Sequence, residues 1–183
     1  RVLFRSCDEM GLGKTIELIA TMLGNRHAHT LVVTHKTVMT QWRDEIRRFS
    51  DRELSVLVWD GPSRTDDPDV LMRYDVVVTS YSLVSPRPGN DSSPLHEISW
   101  DRVVLDEAHE VRNPKTKSHI AIRSLDTRIM WLVTGTPVFN SIRDFVALCA
   151  LLNIKQNQVQ AFTKDICQKY VDRKSTRLNS SHV

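Results

Sequence analysis

The chain has 183 residues, of which 40% are hydrophobic and 26% charged, enough for one domain with a full hydrophobic core and short for two. No apolar run approaches the roughly 18 residues of a membrane span and no signal peptide is visible, so no membrane partner is expected. Residues 1–6 and 172–183 read as translated sequencing-adapter tails; without their five basic residues and one acidic residue the net charge moves from +3 to −1, and charge alone gives no argument for nucleic acid.

Residues 7–171 are expected to form a single domain. It opens on "DEMGLGKT" (8–15), whose Gly13-Lys14-Thr15 has the ending of a phosphate-binding P-loop. The general pattern G-x-x-x-x-G-K-[ST] asks for glycine where this chain has Asp8. The loop leads into a helical pattern, "KTIELIATML" (14–23). Backbone N–H groups around Gly11 to Thr15 would converge on phosphates at the positive end of the helix dipole. Lys14 would reach the β- and γ-phosphates, and the Thr15 hydroxyl would ligate Mg²⁺.

Short β-branched runs then alternate with helical ones. Strands are expected over 30–35, 54–59, 75–80, 101–106 and 129–135, each apolar enough to be buried on both faces. "TVMTQWRDEIRRF" (37–49) reads as a helix with Val38, Trp42, Ile46 and Phe49 on one face. Further helices are expected over 115–125 and 140–152, the last with Asn140 as N-cap. Residues 60–69 and 85–94 have the Pro, Gly, Ser and Asp content of surface loops. Trp42, Trp59, Trp100 and Trp131 fall in strand or helix patterns and are read as core. The alternation implies an α/β fold, a mostly parallel sheet with helices on both faces.

"VVLDEAH" (103–109) is an apolar strand ending in two adjacent carboxylates. A nucleoside triphosphatase needs one acid to hold Mg²⁺ and one to position water; Asp106 suits the first role and Glu107 the second. A pair of solvated acids at a turn is the plainer reading, but it does not anticipate a P-loop earlier in the same chain. His109 lacks the second histidine of H-E-x-x-H, and Cys7, Cys149 and Cys167 form no C-x-x-C pair. Neither a dedicated metal site nor a disulfide framework is therefore expected, and a reducing intracellular compartment is the default. "LVTGTP" (132–137) ends the last strand with Thr134, Gly135 and Thr136, whose hydroxyls could reach the acidic turn. Arg112, Lys115, Lys117 and Arg123 form a basic cluster that suits either DNA or a solvated helix face.

"DEMGLGKT", "LDEAH" and "TGTP", in that order, resemble motifs I, II and III of the Swi/Snf family of ATP-dependent DNA translocases, which are superfamily II helicase-like enzymes. "VVTHKTVMTQW" resembles motif Ia and "VVVTSYSL" motif Ib. "WDRVVLDEAHEVRNPKTK" looks closest to the branch acting in DNA repair and damage tolerance. The resemblance implies a RecA-like first lobe that binds ATP and Mg²⁺ and couples hydrolysis to tracking on double-stranded DNA, free or nucleosomal, in the nucleus. It assigns phosphate and metal to Asp8, Gly11, Gly13, Lys14, Thr15 and Asp106, and catalysis to Lys14 and Glu107. Coupling falls to His109, Thr134, Gly135 and Thr136. Contacts with DNA fall to His35, Lys36 and Thr37 and to Thr79, Ser80 and Tyr81. A second RecA-like lobe, absent from this chain, would supply an arginine finger. Two rivals stand beside this reading. One is a DEAH-type RNA helicase, which typically carries Ser-Ala-Thr where this chain has Thr-Gly-Thr-Pro. The other is a non-catalytic DNA-binding scaffold, against which intact Lys14, Asp106 and Glu107 argue.

Overall fold

A computed structural model describes residues 14–25, 29–86, 93–134 and 142–152. Five strands, β1 (Thr30–Thr34), β2 (Val56–Val58), β3 (Val76–Ser80), β4 (Trp100–Asp106) and β5 (Thr127–Val133), form one sheet in the order β2-β3-β1-β4-β5, with every pairing parallel. The expected strands are all present. Their β-branched content suits a pleated sheet covered on both sides.

Period-two alternation divides the sheet into two cores. Leu31, Val33, Val77, Val103, Leu105, Met130 and Leu132 face one side, while Val32, Val76, Val78, Val104, Trp131 and Val133 face the other. Helices α1 (Lys14–Gly24) and α2 (Met39–Phe49) cover the second side. The first side is covered by the short helices α3 (Pro68–Leu71) and α4 (Tyr81–Val84), together with α5 (Lys117–Ser124) and α6 (Ile142–Leu151). All four tryptophans are buried, as their patterns predict.

Helix α2 buries Met39, Trp42 and Ile46. Phe49, expected on that stripe, is instead exposed at the last helical residue, where the Arg48 guanidinium lies 5.3 Å from its ring centroid. Helix α5 begins two residues later than expected. Pro114 and Asn113 hold a turn in which Asn113 Oδ1 accepts from Lys115 N (3.0 Å), and Thr116 then caps the helix by accepting from His119 N (3.3 Å). Short helices begin at the ends of the two expected loops, at Pro68–Leu71 and in the 3₁₀ turn Pro94–His96, each begun by a capping side chain, Asp67 or Ser93, just before a proline. The proposed cap at Asn140 lies outside the described residues.

Candidate nucleotide site

Parallel pairing aligns the carboxyl ends of the strands. Thr34 pairs with Ser80, Val33 with Leu105, and Asp106 with Val133. Thr34, Ser80, Asp106 and Thr134 therefore stand along one edge of the sheet. Crevices at the carboxyl ends of such strands are where open α/β sheets bind ligands. Helix α1 connects through residues 25–29 to the start of β1, so it runs back across the sheet and its first residues, Lys14 and Thr15, lie toward that same edge. Both are half-buried. Asp8, Gly11 and Gly13 lie outside the described residues, as do Gly135 and Thr136.

Asp106 is the most elaborately held group at this edge. Its Oδ2 accepts from Thr34 Oγ1 (2.9 Å) and from the Trp42 indole Nε1 (2.8 Å). Its backbone carbonyl accepts from the Tyr81 hydroxyl (2.7 Å). Three elements, β1, α2 and the start of α4, thus converge on one residue. Among the described residues, Oδ1 of the same carboxylate has no hydrogen-bond partner. A carboxylate oxygen at the end of β4, with a hydroxyl residue and a lysine in the first turn of α1, supplies the types of oxygen donor and cation that a Mg²⁺–nucleotide requires.

Immediately after Asp106 the strand breaks. Glu107 takes left-handed backbone, φ 52° and ψ 53°, and its carbonyl accepts from Glu110 N (3.0 Å) to begin the 3₁₀ turn Ala108–Val111. Left-handed backbone is disfavoured for a residue with a Cβ. Here it ends the period-two alternation, so two consecutive acids leave the strand by different routes. Glu107 Oε2 lies 3.1 Å from His109 Nδ1, which is also 3.4 Å from Thr134 Oγ1, and Glu110 Oε1 lies 3.9 Å from His109 Nε2. His109 consequently joins the acidic turn to the end of β5, the contact expected of Thr134.

The positions expected to face DNA divide in two. His35, Lys36 and Thr37 are exposed on the 3₁₀ turn that follows β1, with His35 Nδ1 2.9 Å from Thr37 Oγ1 and Lys36 Nζ 3.5 Å from Asp60 Oδ1. Thr79, Ser80 and Tyr81 are buried. Thr79 Oγ1 donates to Trp59 O (3.1 Å), and Ser80 Oγ lies 3.1 Å from Ser82 Oγ. The hydroxyls of Thr79 and Tyr81 are thus spent on the protein itself. Burial, followed by the charges of Asp106, Glu110 and Glu107, holds the Tyr81 phenol well above its ordinary range, so it remains a donor. In the basic cluster, Lys115, Lys117 and Arg123 are exposed and Arg112 is half-buried.

The sequence pattern gives Thr34 no place in the site and puts Trp42 in the core. A signal existed: a tryptophan on the buried stripe of the helix after β1 must find an acceptor for its N–H. The apolar row names no acceptor, and only the fold shows that it is Asp106.

Known proteins resemble this chain in sequence and in fold. The model of the SNF2-related domain family matches residues 6–181. The chain is 36% identical over 138 residues to helicase-like transcription factor of Homo sapiens, covering 74% of this chain and 14% of that protein. It is 31% identical over 185 residues to DNA repair protein RAD5B of Arabidopsis thaliana, covering 81% of this chain and 14% of that protein. Among solved structures, the Sulfolobus solfataricus SWI2/SNF2 ATPase core in complex with dsDNA superposes with a TM-score of 0.67 and 26% identity, covering 82% of this chain and 31% of that one.

Proposed function

The chain belongs to the SNF2-related domain family, and from that premise we propose that it is the ATP-binding lobe of a DNA-dependent ATPase that couples hydrolysis to tracking along duplex DNA. The observation that carries this reading is the convergence of Thr34, Trp42 and Tyr81 on Asp106, next to a left-handed turn that delivers Glu107 to His109. A solvated acid pair would need no such support.

In this reading Lys14 and the N–H groups opening α1 bind the phosphates, and Thr15 and Asp106 would hold Mg²⁺. The metal would neutralise charge developing on the phosphate oxygens. Glu107 orients the attacking water. His109 links it to Thr134, and with Gly135 and Thr136 makes the hydrolytic turn responsive to the end of β5. The exposed turn at His35, Lys36 and Thr37 is the DNA contact we favour, because its polar groups face outward. Phosphate contacts of this kind fix register without reading sequence. The names of the relatives support action in repair or transcription, and hence in the nucleus.

Substitution of Lys14 by alanine, in a protein carrying this lobe and its second lobe, should lower ATPase turnover on the order of a hundredfold, as for other preorganised charge stabilisers. Turnover should rise with duplex DNA more than with RNA. An unchanged rate in the Lys14→Ala protein would favour the scaffold reading, and preferential stimulation by RNA would favour the RNA helicase.

A further inference from the structure

Both side-chain donors that reach the Asp106 carboxylate go to one of its oxygens, Oδ2. Oδ2 takes two donors of different origin: the hydroxyl of Thr34, the last residue of β1, and the indole N–H of Trp42, in the first turns of α2. Trp42 is 3% exposed and Thr34 1%, so water cannot replace either donor cheaply. Hydrogen bonds to an ionised acceptor in such surroundings are short and strong. Together they leave the carboxylate little freedom to rotate, because turning Oδ2 away would strand a buried N–H and a buried hydroxyl. A buried donor stranded in this way bears the full cost of its desolvation.

We infer that Trp42 and Thr34 are positioning residues for the metal-binding acid: by holding Oδ2 they present Oδ1 to the Mg²⁺ that accompanies the nucleotide. The inference rests on the proposed ATP-binding function. It also gives Trp42 a second task beside packing. The indole ring fills the core between α1, α2 and the sheet, while its N–H sets the acid. Thr34 immediately precedes the exposed residues 35–37 and Trp42 lies in the helix that follows them, so a displacement of that stretch by a ligand would be felt at Asp106 through both donors.

The test compares binding of fluorescent ADP, read by anisotropy, with saturating Mg²⁺ and with EDTA, in the full-length protein that carries this chain. Trp42→Phe keeps the ring and removes the N–H; Thr34→Val keeps the shape and removes the hydroxyl. Each should cut the Mg²⁺-dependent gain in affinity about tenfold, the scale seen when a partner of a metal ligand is removed. Affinity in EDTA should stay within about twofold of wild type by the same argument. Trp100→Phe is the control. That indole also loses a buried hydrogen bond, to Leu95 O (2.9 Å), but at the other end of β4; it should lower thermal stability and leave the Mg²⁺ gain intact. An undiminished Mg²⁺ gain in Trp42→Phe, or an equal loss with and without metal, overturns the inference. A wild-type protein whose nucleotide binding ignores Mg²⁺ overturns the functional reading instead.

Discussion

At residue 107 the chain accepts left-handed backbone where no glycine relieves it, and the same is true at Asp51 (φ 47°) and Arg52 (φ 62°). The two cases have different causes. Residues 51 and 52 close α2, and the turn lets Arg52 N donate to Arg47 O (3.0 Å), satisfying a helix carbonyl that would otherwise be orphaned. At Glu107 the strain buys the direction of a carboxylate. Glycine at either place should relieve about 0.5–1 kcal/mol after its own entropic cost. Arg52→Gly should therefore raise the melting temperature with ATPase unchanged, whereas Glu107→Gly should raise it and abolish hydrolysis. A Glu107→Gly protein that is no more stable than wild type would deny the strain. Tyr81 offers a second measurement. Tyr81→Phe leaves the Asp106 carbonyl without its donor, a loss of about 1–3 kcal/mol. Its buried phenol keeps a proton that the unfolded chain gives up near pH 10. Stability from this group is therefore constant below that pH and falls as pH rises above it. The alkaline decline should be shallower in Tyr81→Phe than in wild type; identical slopes would mean that the phenol is not held protonated.

Among the elements, α2 separates what a sequence pattern conveys from what it cannot. Its apolar spacing marks a helix and a buried stripe, and Trp42 and Ile46 obey it. Phe49 continues the spacing but sits at the helix end, 39% exposed, with the Arg48 guanidinium over its ring. Ile46→Ala, at a fully buried site, should cost about 2–5 kcal/mol, while Phe49→Ala should cost no more than about 1 kcal/mol, the worth of an exposed cation–π contact. Equal losses in denaturant titrations would return Phe49 to the core. The strands were legible for the same reason as the stripe: runs such as Leu31 to Val33 and Val76 to Val78 declare burial on both faces. Strand order was not, because β2 joins the edge beyond β3 through pairings that leave no mark on local composition. Asp106 and Glu107 were visible as an acid pair at a strand end. The inward turn of Thr79 and Tyr81 was not, since a hydroxyl suited to a phosphate is equally suited to a backbone carbonyl.

For the molecule as a whole, the roles of the two sheet edges differ. The amino edge is closed by contacts of the chain with itself: His29 N to Asp101 Oδ2 (3.0 Å), Ser55 N to Asp75 Oδ2 (2.7 Å), and Arg102 Nη1 to Thr30 Oγ1 (3.3 Å). The carboxyl edge gathers Asp106, Glu107, His109 and Thr134, whose carboxylates add negative charge where phosphate charge would develop. On the proposed reading, positive charge must be brought to that edge to stabilise the transition state. Lys14 is one source. Of the other basic groups at this edge, Lys36 already lies 3.5 Å from Asp60. The chain spans about one seventh of the length of the curated relatives it matches, and the resemblance to Swi/Snf translocases assigns the missing cation to an arginine of a second lobe. An arginine finger is worth about 10³–10⁵ in rate. Residues 1–183 alone should accordingly bind Mg²⁺ and nucleotide weakly and hydrolyse ATP at a rate barely above background, with no response to duplex DNA. Joining the second lobe should restore turnover by a factor in that range and make it DNA-dependent, and substituting the finger arginine should remove the gain without weakening nucleotide binding comparably. Robust DNA-stimulated hydrolysis by the isolated chain would show that this lobe completes the site by itself, and the division of labour between lobes would have to be abandoned.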